Sequence, residues 1–116
     1  MLAVIFEVEP HPEQKADYLD LAADLKPLLE GMEGFISIER FESLVTPGKI
    51  LSLSFWRDEA ALAAWRNLDP HRQAQALGRA EIFKGYRLRI AAVIRDYGLE
   101  NRDQAPDDSR AYHDEG

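Results

Sequence analysis

Two strand-length segments of this chain carry apolar side chains on both faces, and this limits the folds open to it more than any other feature. Residues 2–9 place Leu2, Val4, Phe6 and Val8 on one side and Ala3, Ile5 and Glu7 on the other. Residues 50–56 alternate Leu51, Leu53 and Phe55 with Ile50, Ser52, Ser54 and Trp56. Successive side chains of a strand point to opposite faces of a sheet, so these segments need cover above and below. The chain supplies one cover itself. After His11-Pro12-Glu13, the residues Tyr18, Leu21, Ala22, Leu25, Leu28 and Leu29 recur at three- and four-residue steps, the stripe of an amphipathic helix opened by Pro12. Pro27 lacks an amide hydrogen and is expected to bend or interrupt that helix near its end, with Gly31 and Gly34 bracketing the exit.

Residues 35–44 read as a second strand and 50–56 as a third, joined through Val45-Thr46-Pro47-Gly48, where Pro then Gly is the central pair of a type II turn. Asp58 suits the N-cap of a short helix carrying Leu62 and Trp65, and Asp69-Pro70 restarts a second one, with Asp69 as N-cap. The last strand is expected over 86–94. Beyond Gly98 the chain is polar, contains Pro106 and shows no periodicity. The order β-α-β-β-α-β is the ferredoxin-like plan of the α+β class, with both helical regions on one face of a four-stranded antiparallel sheet. The other face is then left for a second copy of the chain, because contiguous apolar surface of this extent is uncommon on monomers. The division expected is a ferredoxin-fold domain over 1–97 and an acidic arm or disordered tail over 98–116.

With 116 residues the chain fits one domain with one core. It has no cysteine, which removes disulfides, thiolate metal sites and cysteine nucleophiles. The start Met1-Leu-Ala-Val-Ile-Phe-Glu-Val lacks the basic region of a signal peptide, and no apolar run approaches a membrane span, so a cytoplasmic location is expected. A net charge of -7 argues against sequence-independent binding to nucleic acid or an anionic membrane. The charge is uneven: residues 66–95 hold seven basic and two acidic side chains, whereas 96–116 hold seven acidic and two basic. Either these are two solvated stretches, or the basic one receives the tail or an anionic ligand.

The densest group of unusual side chains runs from Trp65 through His71 and Arg72 to Arg79, Phe83 and Tyr86. A pocket between the second helical region and the sheet would pair aromatic walls from Trp65, Phe83 and Tyr86 with the polar groups of His71 and Arg79. Each also has a plainer reading: Trp65 as a core anchor, His71 as a surface or capping residue. Glu7 on the first strand is read as a structural ion pair with Arg87 or Arg89 rather than as an acid catalyst. His113-Asp114-Glu115 matches a metal site by residue type alone and is read as solvated. No P-loop, dinucleotide-binding glycine motif, nucleophile elbow or His-Glu-x-x-His occurs.

On Gly34-Phe35, Ile50 to Trp56 with Arg57-Asp58-Glu59-Ala60, Leu62-Ala63-Ala64-Trp65, His71, Gly78-Arg79 and Tyr86 through Tyr97, the chain resembles the antibiotic biosynthesis monooxygenase superfamily of dimeric α+β barrels. The resemblance covers about residues 1–97. It implies a barrel formed by dimerisation and a pocket between sheet and helices in each subunit. It also implies a monooxygenase that oxidises a small aromatic or quinol-like substrate without a dedicated metal or flavin, with His71 as base, Arg79 as anion stabiliser and Trp65, Phe83 and Tyr86 as walls. Two alternatives stand beside it, a non-catalytic dimeric binding or stress-related protein that holds a hydrophobic or anionic ligand, and a haem-binding protein. The haem-degrading members use an Asn on the first strand, where this chain has Glu7, and a wider Trp-to-His spacing, which sets haem third.

Overall fold

A computed structural model describes residues 1–113. Four strands, β1 (Leu2–Pro10), β2 (Phe35–Glu42), β3 (Ile50–Trp56) and β4 (Phe83–Ala92), form an antiparallel sheet in the order β2-β3-β1-β4. Helices α1 (Lys15–Glu30), α2 (Glu59–Arg66) and α3 (Asp69–Leu77) connect them, and α4 (Asp107–His113) follows. This is the ferredoxin-like α+β fold, and within one chain the sheet stays open. No helix among the described residues is long and apolar enough to cross a membrane.

Local chemistry sets most of the boundaries. Asp58 caps α2, its Oδ1 accepting the Ala61 amide at 2.9 Å. The β2–β3 turn closes with the Lys49 amide donating to the Thr46 carbonyl at 3.2 Å, and Gly48 takes φ +83°, as position i+2 of a type II turn requires. Several boundaries differ from expectation. Helix α1 runs through Pro27 to Glu30, because the lost hydrogen bond falls in the last turn and Leu29 is held in the core. Leu68, not Asp69, is the N-cap of α3, and Pro70 sits in its first turn. Strand β2 ends at Glu42. Strand β4 starts at Phe83 and ends at Ala92, shifted from 86–94, because Pro10 extends β1 to pair with Phe83.

The ladder fixes the faces. Leu2, Val4, Phe6 and Val8 lie opposite Trp56, Ser54, Ser52 and Ile50, and this side faces the helices. Ile5 and Glu7 lie opposite Leu53 and Leu51 on the far side. There Glu7 Oε2 accepts from Arg89 Nη1 at 3.2 Å, with Lys49 at 3.8 Å, so the ion pair is made with Arg89. The core divides into two clusters. One joins Leu29, Trp56, Ala61, Leu62 and Trp65; the other joins Val8, Tyr18, Ile50 and Ile82. Beyond Gly98, Ala105 is buried and the Gly98 amide donates to the Asn101 carbonyl at 2.8 Å. Of the His113-Asp114-Glu115 group, Asp114 and Glu115 lie outside the described residues. No three metal-ligating side chains converge among the described residues.

Candidate functional site

Between the two core clusters the helices stand away from the sheet and leave a cavity of about 570 Å³. Its roof is the buried side of α1, with Tyr18, Leu25 and Leu29, and its floor is the inner face of the sheet. It opens along β4, an edge strand, where Tyr86, Leu88 and Ile90 are 44–48% exposed although they face the helices. A volume of this size accommodates a small organic molecule.

Aromatic groups close both ends. At one end Phe83 packs against Phe6, Tyr18 and Tyr86 with ring centroids 5.8 to 5.9 Å apart. Gly78 makes this possible, since a Cβ there would come within 2.6 Å of the Phe83 ring. At the other end Trp56 donates its indole hydrogen to Ser54 Oγ at 3.0 Å and stacks on Trp65, and Trp65 meets the imidazole of His71 at 4.7 Å. Trp65 is therefore both a core anchor, at 8% exposure, and a cavity wall.

The break between α2 and α3 positions His71. Asn67 donates its side-chain amide to the Ala63 carbonyl at 2.9 Å and accepts from Arg72 at 2.6 Å, which ties the first turn of α3 to the end of α2. His71 Nδ1 lies 3.5 Å from the Arg66 carbonyl, a long contact that favours the Nδ1–H tautomer and leaves Nε2 with a lone pair. Burial pushes the imidazole below the usual histidine value, and the Arg72 charge pushes in the same direction against the opposing Arg66 carbonyl. At neutral pH this ring is an uncharged proton acceptor. Arg79, in the π turn Gly78–Ile82, is exposed and lines the same cavity.

All five residues singled out in the sequence, Trp65, His71, Arg79, Phe83 and Tyr86, thus border one space. Polar groups of the floor that were not anticipated are Arg40, Ser52 and Ser54. Arg40 on β2 and Ser52 on β3 lie directly opposite one another in the ladder and both border the cavity. The available signal was a charged residue in phase with Ile38, but it needs the β2–β3 register before it points inward.

Comparison with known proteins agrees with this architecture. The family model for antibiotic biosynthesis monooxygenase matches residues 1–77. Jasmonate monooxygenase ABM of Pyricularia oryzae is 48% identical over 93 residues, which is 80% of this chain and 43% of that protein. The chain therefore corresponds to less than half of that relative. The Bacillus subtilis protein YqjZ is 28% identical over 80% of this chain and 79% of its own. Among solved structures, Rv0793 of Mycobacterium tuberculosis superposes with a TM-score of 0.74 over 84% of this chain and 98% of that one, at 18% identity. The chain belongs to the antibiotic biosynthesis monooxygenase family.

Proposed function

We propose that the protein is a monooxygenase that oxidises a small aromatic or quinol-like molecule in the 570 Å³ cavity, using dioxygen and no dedicated metal, flavin or haem. The observation that carries this reading is His71, held uncharged by burial against Trp65 at the cavity wall. Membership of the family and 48% identity to a jasmonate monooxygenase support it. For a substrate with an activated methylene the balance closes without a reductant: the methylene and one dioxygen give a ketone and one water. His71 takes the first proton, and the carbanion passes electrons to dioxygen as the C–O bond forms. The peroxide anion recovers the proton from His71, and water leaves as the O–O bond breaks. Arg79 stabilises the anionic stages, and Trp65, Phe83 and Tyr86 hold the planar body. A cytoplasmic setting is part of the same reading. Oxygen uptake measured with quinols, anthrone-like methylenes and jasmonate is the test, and uptake that is unchanged when His71 is replaced removes the assignment.

The outer face of the sheet supports a homodimer. Ile5, Leu51, Leu53 and Phe55 stay partly exposed there, and Phe41 is 43% exposed. A second copy stacking the same face buries this surface and closes the two open sheets into a barrel. Light scattering is expected to give about twice the 13.2 kDa chain mass. Leu53→Glu places a carboxylate at the centre of the buried face and is expected to yield folded monomer. A wild-type monomer at micromolar concentration removes the dimer.

A further inference from the structure

We infer that the ligand of this cavity is an apolar organic anion, with its carboxylate held by Arg40 and Ser52 on the sheet floor. This rests on the reading of the cavity as the substrate site and names the class of substrate. The first ground is charge. The chain holds 21 acidic and 14 basic side chains, yet Lys26, Arg40, Arg66, Arg72 and Arg79 border the cavity and, among the described residues, no Asp or Glu does. A cavity that merely sampled the surface of an acidic chain would contain carboxylates.

The second ground is Arg40 itself. Of the five cations, Lys26 lies 4.0 Å from Glu30 and Arg72 bonds Asn67, while Arg66 and Arg79 reach water. The Nε of Arg40 is sealed from solvent and has no hydrogen-bond partner among the described residues, the one buried side-chain group of theirs left in that condition. A buried guanidinium N–H without an acceptor is unfavourable, so this head group is less well satisfied within the fold than the other four. Carboxylates suit this position because a guanidinium donates to them in a charge-assisted, frequently bidentate arrangement.

The third ground is the surroundings. Ser52, opposite Arg40 in the ladder and 7% exposed, offers a hydroxyl as a second donor. The rest of the cavity is apolar and aromatic, fitted to the body of such a molecule rather than to a small inorganic anion. A head anchored on β2 and β3 leaves that body among Trp65, Phe83 and Tyr86, within the space that His71 borders.

The test uses the full chain with two fluorescent probes of identical body, 4-(1-pyrenyl)butyrate and 4-(1-pyrenyl)butan-1-ol, titrated at low salt. Wild-type protein is expected to bind the acid at least about tenfold more tightly than the alcohol. Arg40→Gln is expected to weaken the acid about 30-fold or more while leaving the alcohol within about threefold, and Arg40→Lys to recover part of the loss. Equal affinity of wild-type protein for acid and alcohol overturns the inference while leaving the cavity as a ligand site. Loss of both probes to the same extent in Arg40→Gln also overturns it, since that marks a structural role. If neither probe binds wild-type protein, the inference and the cavity reading fail together. The wild-type ratio decides the question even if the Gln variant does not fold.

Discussion

Replacing His71 by alanine is expected to lower the rate of substrate-dependent oxygen consumption by about 10²- to 10⁴-fold, the range over which a positioned general base contributes. The group is suited to the role because the fold keeps it uncharged. Burial between Trp65 and the α2–α3 junction disfavours the imidazolium, the neighbouring Arg72 disfavours it further, and no carboxylate among the described residues borders the cavity to restore it. The wild-type rate should therefore rise with pH through a value below the usual histidine 6.5 and then level off, and this acid limb should disappear in His71→Ala. The same shift has a consequence for stability. A folded pKa below the unfolded one means that the unfolded chain binds the extra proton between the two values. The contribution of His71 is then fully present above about pH 6.5 and is lost as pH falls through the folded value. Urea denaturation of wild type and His71→Gln at pH 5 and pH 7.5 measures it, and the wild type should lose more stability on acidification than the variant. A variant that keeps both the rate and the acid limb would place the base elsewhere.

What could be read in advance follows how local the determining interaction is. The N-cap at Asp58 and the Pro47-Gly48 turn depend on a few neighbouring residues, and both form where their chemistry puts them. Period-two alternation located β1 and β3 and separated the face of Val4 and Ser54 from that of Ile5 and Leu53. The start of β4 was not local. Phe83 joins the sheet because Pro10 pairs with it and because Phe6 and Tyr18 receive its ring, and all three partners lie more than sixty residues away. The π turn that delivers Phe83 there has no sequence signature of its own. Arg40 was missed for a related reason. Strand β2 has both apolar and charged residues in each phase, Phe35, Glu39 and Phe41 against Ile36, Ile38 and Arg40, so its inward face is decided only by the ladder that sets Arg40 opposite Ser52. The candidate site was legible where an aromatic and polar cluster was continuous in sequence and illegible where two strands had to be aligned.

Trp56→Ala is expected to cost about 3–5 kcal/mol of folding stability, the largest loss at a single position of this core. Trp56 is 1% exposed, packs edge-on to Phe35 at 5.4 Å and stacks on Trp65 at 6.4 Å. Burial of about 200 Å² of indole at about 25 cal/mol/Å² gives about 5 kcal/mol as an upper figure. Relaxation is expected to recover little of this, because the space vacated adjoins the existing cavity. Truncation also removes the donor to the buried Ser54 hydroxyl. Trp56→Phe keeps an aromatic body and loses mainly that hydrogen bond, so its cost should be about 1–2 kcal/mol. Urea denaturation of the two variants measures both terms, and a loss below about 1 kcal/mol in Trp56→Ala would show that this indole does not anchor the core. The effect extends to the site. Trp56 supports Trp65, and Trp65 supports the His71 ring at 4.7 Å, so the phenylalanine variant, which remains folded, should lose activity by a positioning effect. Its signature is a lowered kcat with the acid limb of the pH profile retained, which distinguishes a displaced base from an absent one.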